Sequence, residues 1–100
     1  MSQTHRMHLT VCVLTLALPA CRSLKEKRGR LAPLLAALRH RFELAAAEVG
    51  AQDAWASSIV ACVAVSTDAA HNQQVLQAAL SWIESHNADV EVTSTSIEDR

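Results

Sequence analysis

A chain of 100 residues, half of them apolar, is long enough for one globular core and too short for two. Two glycines and two prolines argue against a disordered chain, and three cysteines without a C-x-x-C pair give no sign of a thioredoxin-type motif or a zinc knuckle. The five histidines pair with no cysteine or glutamate at ligand spacing, so we expect no metal and no cofactor.

The net charge is only −1, but positive and negative residues are concentrated in different segments of the chain. Seven bases and one acid, Glu26, lie between residues 22 and 41, which gives this segment a net charge of +6. Residues 42–100 carry nine acids and one base, Arg100, and their net charge is −8. The seven bases are Arg22, Lys25, Lys27, Arg28, Arg30, Arg39 and Arg41.

The N-terminus is predicted to be a disordered tail over residues 1–6, followed by a single domain over residues 7–98, with Met7 as an alternative start. Residues 9–17 read as a strand that is apolar on both sides, and therefore central in its sheet. Ending in Leu-Pro-Ala-Cys at Cys21, the run also resembles a lipoprotein signal peptide. We favour the strand, because a capped helix follows where a flexible tether would be expected.

The first helix begins after Cys21. Ser23, with Glu26 three residues later, has the spacing of a capping box. Pro33 lacks an N–H and clashes with the preceding turn, so the helix is either kinked there or split in two, and we favour one kinked helix. Five leucines form its predicted buried stripe. They are Leu24, Leu31, Leu34, Leu35 and Leu38.

Two strands are predicted next, over residues 42–49 and 55–66, joined by a turn at residues 50–54. The second is apolar on both faces and is therefore expected to be central. Asp53 is expected to cap backbone N–H groups in the turn, and Trp55 to pack over the end of the sheet.

A second helix is predicted over residues 69–86, with Thr67 or Asp68 as its N-cap. Its apolar stripe faces the core, whereas Asn72 is expected to face water. The last strand, residues 89–97, is polar enough to suit a sheet edge.

The order strand, helix, strand, strand, helix, strand predicts an α+β fold. This is a ferredoxin-like βαββαβ sandwich, with a four-stranded antiparallel sheet and both helices on one face. The other face would expose Val11 and Val13, and we expect a homo-oligomer, most simply a dimer, to cover it.

Few residues support catalysis, and we expect the protein not to be an enzyme. Glu48 and Asp53 could form a general acid–base pair, but no nucleophile accompanies them and no small-molecule substrate is indicated. Cys21 lies beside Arg22 at a helix N-terminus, which could lower its pKa, yet a buried thiol is the expectation. Structural roles are assigned to Ser23, Glu48, Asp53, Trp55 and Asp68.

The seven clustered bases are predicted to contact the phosphate backbone of RNA. Such contacts need positive charge without base readout, and the central strands lack the stacking aromatics of RNA-recognition sheets. The alternatives are a solvated helix face, or a homo-oligomeric protein-interaction module without nucleic-acid binding.

Several motifs, in order and spacing, are similar to the YlxP-like family of small bacterial proteins. They are R-S-L-K-E-K-R from Arg22, Arg41-Phe42, Ala47-Glu48-Val49, Gln52-Asp53-x-Trp55 and Val65-Ser66-x-Asp68-x-x-His71. The resemblance covers about residues 9–97, with departures at Gly29 and in the alanine-rich second strand. It implies a ferredoxin-like fold, a cytoplasmic bacterial protein without a membrane partner, and genes beside those for translation initiation and ribosome maturation factors. Ribosomal or pre-ribosomal RNA is therefore the expected partner.

Overall fold

The computed structural model describes residues 6–100. The predicted tail lies outside these residues except for Arg6, which is exposed and belongs to no strand or helix. The elements follow the predicted order. They are β1 (His8–Ala17), α1 (Leu24–Ala36) continued by a π-helical turn (Ala37–Arg41), β2 (Ala45–Gly50), β3 (Ser57–Ser66), α2 (Ala69–His86) and β4 (Glu91–Asp99).

The four strands form one antiparallel sheet in the order β2–β3–β1–β4. β1 and β3 pair along their whole length, from His8 opposite Ser66 to Ala17 opposite Ser57. Both are apolar on two sides and therefore occupy the centre, while the polar β4 lies at an edge. The predicted α+β, ferredoxin-like arrangement is confirmed, including its two central strands.

Both helices pack on the same face of the sheet and share one core with it. Leu14 of β1 and Val60 of β3 are fully buried there, as are Leu34 of α1 and Ile83 of α2. Burying a side chain of this size stabilises the fold by roughly 1.5–3 kcal/mol. α2 lies over β1 and β3, whereas the π-helical turn that continues α1 contacts β2.

α1 is one helix that runs through Pro33, so the choice of one helix over two is confirmed. Ser23 Oγ accepts a hydrogen bond from the N–H of Glu26 at 3.0 Å, and the Glu26 carboxylate accepts one from the N–H of Arg22 at 2.8 Å. In a capping box the returning bond goes to the cap residue itself, and here it goes one residue earlier. Pro33 leaves the Gly29 carbonyl without its helical donor, yet the helix continues.

Three strand boundaries differ from the prediction. β2 begins at Ala45 rather than residue 42, because Glu43 has a φ of 56° and lies outside the extended region. β3 begins at Ser57 rather than residue 55, where pairing with β1 starts. β4 is shifted towards the C-terminus, since its ladder with β1 extends to Asp99 opposite Thr10.

Asn72 is buried, with only 1% of it exposed, so the prediction that it faces water is wrong. Its Nδ2 donates to the His8 carbonyl at 3.0 Å and to Thr10 Oγ1 at 3.2 Å, and its Oδ1 accepts from Ser66 Oγ at 2.7 Å. Asp68 is the N-cap of α2, as one of the two predicted alternatives had it. The start of α2 is thus tied to β1 and to the end of β3.

Candidate nucleic-acid interface

Three of the seven predicted bases form an open basic face at the start of α1. The side chains of Arg22, Lys25 and Arg28 are exposed, and none forms a hydrogen bond or ion pair with another residue in the described part of the chain. The nearby acid Glu26 is already engaged, because the N–H of Arg22 and the guanidinium of Arg30 hold its pKa below the ordinary value. The basic face, defined here as Arg22, Lys25 and Arg28, therefore forms no ion pair within the described residues, although the charges of Glu26 and Glu48 act on Arg22 and Arg28.

Lys27 is not part of the basic face, which corrects its predicted contact with RNA. Its side chain is 2% exposed. Its Nζ lies 2.6 Å from the Ala51 carbonyl, 2.7 Å from the Ala54 carbonyl and 2.8 Å from Glu48 Oε2. Three acceptors use all three donors of the ammonium group, so none remains for a phosphate. Lys27 instead ties the loop after β2 to α1.

Arg30 is also poorly placed for the predicted RNA contact, because its side chain is 14% exposed and makes three hydrogen bonds within the protein. One Nη donates to the Pro19 carbonyl at 2.7 Å and to the Asp89 carbonyl at 3.0 Å. The other donates to Glu26 Oε1 at 2.9 Å. Arg30 thus joins the turn after β1 to the segment before β4.

Arg39 and Arg41 lie at the far end of the helical segment and are both exposed. Nε and one Nη of Arg39 donate to the Ala46 carbonyl of β2 at 3.0 and 2.8 Å. The guanidinium carbon of Arg41 lies 5.9 Å from the Phe42 ring centre and 5.7 Å from that of Trp82, within cation–π range. Each keeps donors towards solvent and can extend a basic surface.

An open groove of about 340 Å³ runs along α1 between the two groups of bases. Leu31 and Leu35 contribute apolar surface to it, while Arg28, Arg39 and His40 contribute basic side chains. The groove therefore runs from Arg28 of the basic face to Arg39 at the far end of the helical segment, with the acid Glu48 also on its wall.

The loop of residues 51–56 is fixed by its backbone. The Ala54 N–H donates to the Ala51 carbonyl at 3.1 Å, and the Ala56 carbonyl accepts from the N–H of Leu18 at 2.8 Å. Ala51 has a φ of 56°, which is left-handed and unfavourable for alanine. The contacts of Lys27 with both carbonyls stabilise this turn.

Two predicted structural residues on this loop behave differently from expectation. Trp55 is 53% exposed, so the prediction that it packs over the end of the sheet is wrong. Asp53 is exposed, and its side chain makes no hydrogen bond within the described part of the chain. The turn needs no cap from Asp53, because Lys27 and the backbone bond between Ala54 and Ala51 close it.

The Glu48 carboxylate lies between Lys27 of α1 and Ser58 of β3. Burial alone would raise the pKa of Glu48, but the Lys27 ammonium and the Ser58 hydroxyl, at 2.8 and 2.6 Å, outweigh it and lower the pKa. A carboxylate held in its ionised form is a poor general acid. Asp53 makes no hydrogen bond to Glu48 within the described residues.

The three thiols are free and buried, as expected. Cys12 and Cys62 lie opposite each other in β1 and β3, and the hydrogen bond between them and then burial raise the pKa of Cys62. Cys21 Sγ lies 3.5 Å from the Ser23 carbonyl. Within residues 6–100, no three histidine, cysteine or acidic side chains are grouped to hold a metal ion, and no helix is long and apolar enough to cross a membrane.

Comparison with known proteins gives two matches. The model of a family described as "Protein of unknown function (DUF503)" matches residues 9–97. "Uncharacterized protein YlxP" of Bacillus subtilis (strain 168) is 34% identical over 76 residues, which cover 76% of this chain and 82% of the relative. The family match reaches from β1 into β4, and thus includes the basic face and the loop of residues 51–56.

Proposed function

This chain belongs to the DUF503 family of proteins of unknown function, as its motifs indicated, and we propose that it binds RNA by the phosphate backbone. The basic face carries this proposal: three exposed cationic side chains at the start of α1 have no ion-pair partner among residues 6–100. Arg39 and Arg41 extend the surface along the same helical segment. The proposed role is non-catalytic and cytoplasmic.

The charge distribution supports a defined orientation on RNA. Glu48 of β2 pairs with Lys27 of α1 and the π-helical turn that continues α1 contacts β2, so this helical segment lies over the β2 side of the sheet, although Arg30 also contacts the Asp89 carbonyl before β4. The opposite edge is β4, which carries Glu91, Glu98 and Asp99. A molecule with positive charge on one side and negative charge on the other turns its positive side towards a polyanion.

Co-sedimentation with ribosomal subunits, together with direct binding to ribosomal RNA, tests the proposal. If three or four phosphates are contacted, the logarithm of affinity should fall against the logarithm of salt concentration with a slope of about −3. The Lys25→Glu/Arg28→Glu variant should weaken binding to all RNA sequences alike and leave the fold intact, because both side chains are exposed.

A matched control separates the basic face from total charge. Arg6→Glu/Arg100→Glu changes the net charge by the same amount with exposed residues away from α1, and it should retain most of the binding. Equal weakening by both double variants would show that net charge alone attracts RNA. Absence of binding by the unmodified protein at low salt would refute the proposal.

A second candidate function, homo-dimerisation, is favoured by the sheet face opposite the helices. Leu9 lies opposite Val65 and Val11 opposite Val63 on this face, and Leu9 and Val65 are 41% and 66% exposed. Adjacent exposed apolar residues of this kind mark contact surfaces. Light scattering should give a dimer mass, and Val63→Glu should give a monomer. Gln73→Glu, at an exposed position of α2 on the helix side of the sheet, should leave the dimer intact, and a monomeric unmodified protein would exclude this candidate.

A further inference from the structure

Trp55 is the exposed aromatic side chain that the fold leaves without an intramolecular role. The other tryptophan, Trp82, stacks on His86 with ring centres 4.7 Å apart and meets the edge of Phe42 at 6.2 Å. Trp55 makes no aromatic or cation–π contact with any residue from 6 to 100, and 53% of it is exposed. Its surface is therefore open to a partner.

The loop that carries Trp55 is anchored on both sides of this residue by hydrogen bonds to other parts of the fold. Ala54, the preceding residue, accepts a hydrogen bond from the buried Lys27, and Ala56, the following residue, accepts one from Leu18. Both neighbours of Trp55 are thus anchored, one to α1 and one to the end of β1. Anchoring on both sides reduces the conformational entropy that the loop would lose on binding.

These two anchors hold the Trp55 loop against α1 and against the end of β1, the elements that carry and precede the basic face in the chain. Lys27 lies between Lys25 and Arg28 on α1, and Leu18 is followed by a tight turn that leads to Arg22. The loop itself carries a single charge, Asp53, against the three positive charges of the basic face on and before α1. An aromatic ring next to phosphate-binding cations is the combination with which proteins hold unpaired nucleotides.

We propose that Trp55 stacks on an unpaired nucleobase of RNA whose phosphates are held by the basic face. This inference rests on the proposed function and names the substrate class: RNA with a single-stranded loop or end next to the bound backbone. Stacking on a π-face tolerates any base, so the site would prefer unpaired RNA without preferring a sequence. An exposed tryptophan can also anchor a protein partner, but the surrounding cations favour the nucleic acid.

Fluorescence of a Trp82→Phe variant tests the stacking, because Trp55 is then the one tryptophan of the chain. The variant is titrated with single-stranded oligoadenylate and with duplex RNA of equal phosphate number. We expect quenching by the single strand and little change with the duplex. In the same background, Trp55→Ala should weaken single-strand binding, followed by the fluorescence anisotropy of a labelled oligoadenylate, about 5- to 150-fold, the range for loss of one aromatic stack. Trp55→Phe should recover part of it.

The outcomes distinguish this inference from the proposed function. Lys25→Glu/Arg28→Glu should weaken both RNAs, whereas Trp55→Ala should weaken the single strand alone, with unchanged circular dichroism showing that the fold survives. If the protein binds RNA but Trp55 is not quenched and Trp55→Ala binds normally, stacking is wrong and backbone binding stands. If neither RNA binds at low salt, both proposals are wrong.

Discussion

Lys27 in α1 and Asn72 in α2 occupy equivalent places in the two halves of the fold. Each lies four residues after its N-cap, Ser23 or Asp68, and each is almost fully buried, at 2% and 1% exposure. Each places a polar side chain on the buried face of its helix. Their partners differ, however. Lys27 reaches two loop carbonyls and a carboxylate, whereas Asn72 reaches groups at the ends of two strands.

The difference shows two uses of one buried polar position. Asn72 connects secondary-structure elements that are already paired in the sheet, and its neutral amide has a low desolvation cost. Lys27 carries a charge, whose burial is tolerated because Glu48 and two carbonyls surround it. Lys27 thereby fixes the loop of residues 51–56, which has no strand pairing and which carries the exposed Trp55. We infer that Lys27 fixes the conformation of a surface loop, whereas Asn72 stabilises the packing of α2 on the sheet.

Lys27→Met should have the largest effect on stability. Methionine fills a similar volume but removes the ammonium group that neutralises Glu48 and binds the Ala51 and Ala54 carbonyls, and breaking a buried pair in this way costs about 3–5 kcal/mol. Urea unfolding followed by circular dichroism measures the loss. Lys25→Met, two residues away and exposed, should change stability by less than about 0.5 kcal/mol. Equal stability of the two variants would show that Lys27 does not hold the loop.

Asn72→Ala should cost less, about 2 kcal/mol, because it removes three neutral hydrogen bonds, those with the His8 carbonyl, Thr10 Oγ1 and Ser66 Oγ. Hydrogen exchange locates the damage. Protection should fall at the start of β1 in this variant and in residues 51–56 in Lys27→Met. Gln73→Ala, exposed on the same helix, is the control. Exchange that increases in the same places in both variants would contradict the division of roles.

The pH dependence of stability should distinguish the two positions again. The pKa of Glu48 is lowered in the fold from an ordinary value of 4.5, so its contribution is present above that value and is lost as the pH falls through the folded-state pKa. Glu48→Gln should therefore flatten the acid limb of a plot of unfolding free energy against pH. Asn72→Ala should shift the whole curve down and leave that slope unchanged. An unaltered slope in Glu48→Gln would contradict the lowered pKa.

The elements and their order could be predicted because the apolar pattern is strong. β1 and β3 are apolar on both faces, which fixed their central place, and Ser23 and Asp68 are strong helix caps. The boundaries around β2 could not be predicted, because the left-handed conformation at Glu43 follows from the way the π-helical turn ends. Secondary-structure propensities of the residues do not predict a left-handed conformation at Glu43.

The site was predicted less well, since a charged residue was assumed to be exposed. The signal for Lys27 was present in its spacing: it lies three residues after Leu24 and four before Leu31, on the buried stripe itself. Asn72 likewise lies four residues before Leu76. What no spacing could show is where the partners are, because residues 48–54 meet α1 only in the folded chain.

The smallest expected effect concerns Asp53, which shares the loop with Trp55 but lacks a partner among residues 6–100. Asp53→Asn should change the free energy of unfolding by less than about 0.5 kcal/mol, because no hydrogen bond is lost. It should also strengthen RNA binding about twofold at low salt, since one exposed repulsive charge is worth at most about 0.5 kcal/mol there. Urea unfolding and RNA titration measure the two effects. The gain should disappear at high salt, where exposed charges are screened. A loss of stability near that of Lys27→Met would mean that Asp53 shapes the loop after all, and Lys27 would no longer be the residue that sets its conformation.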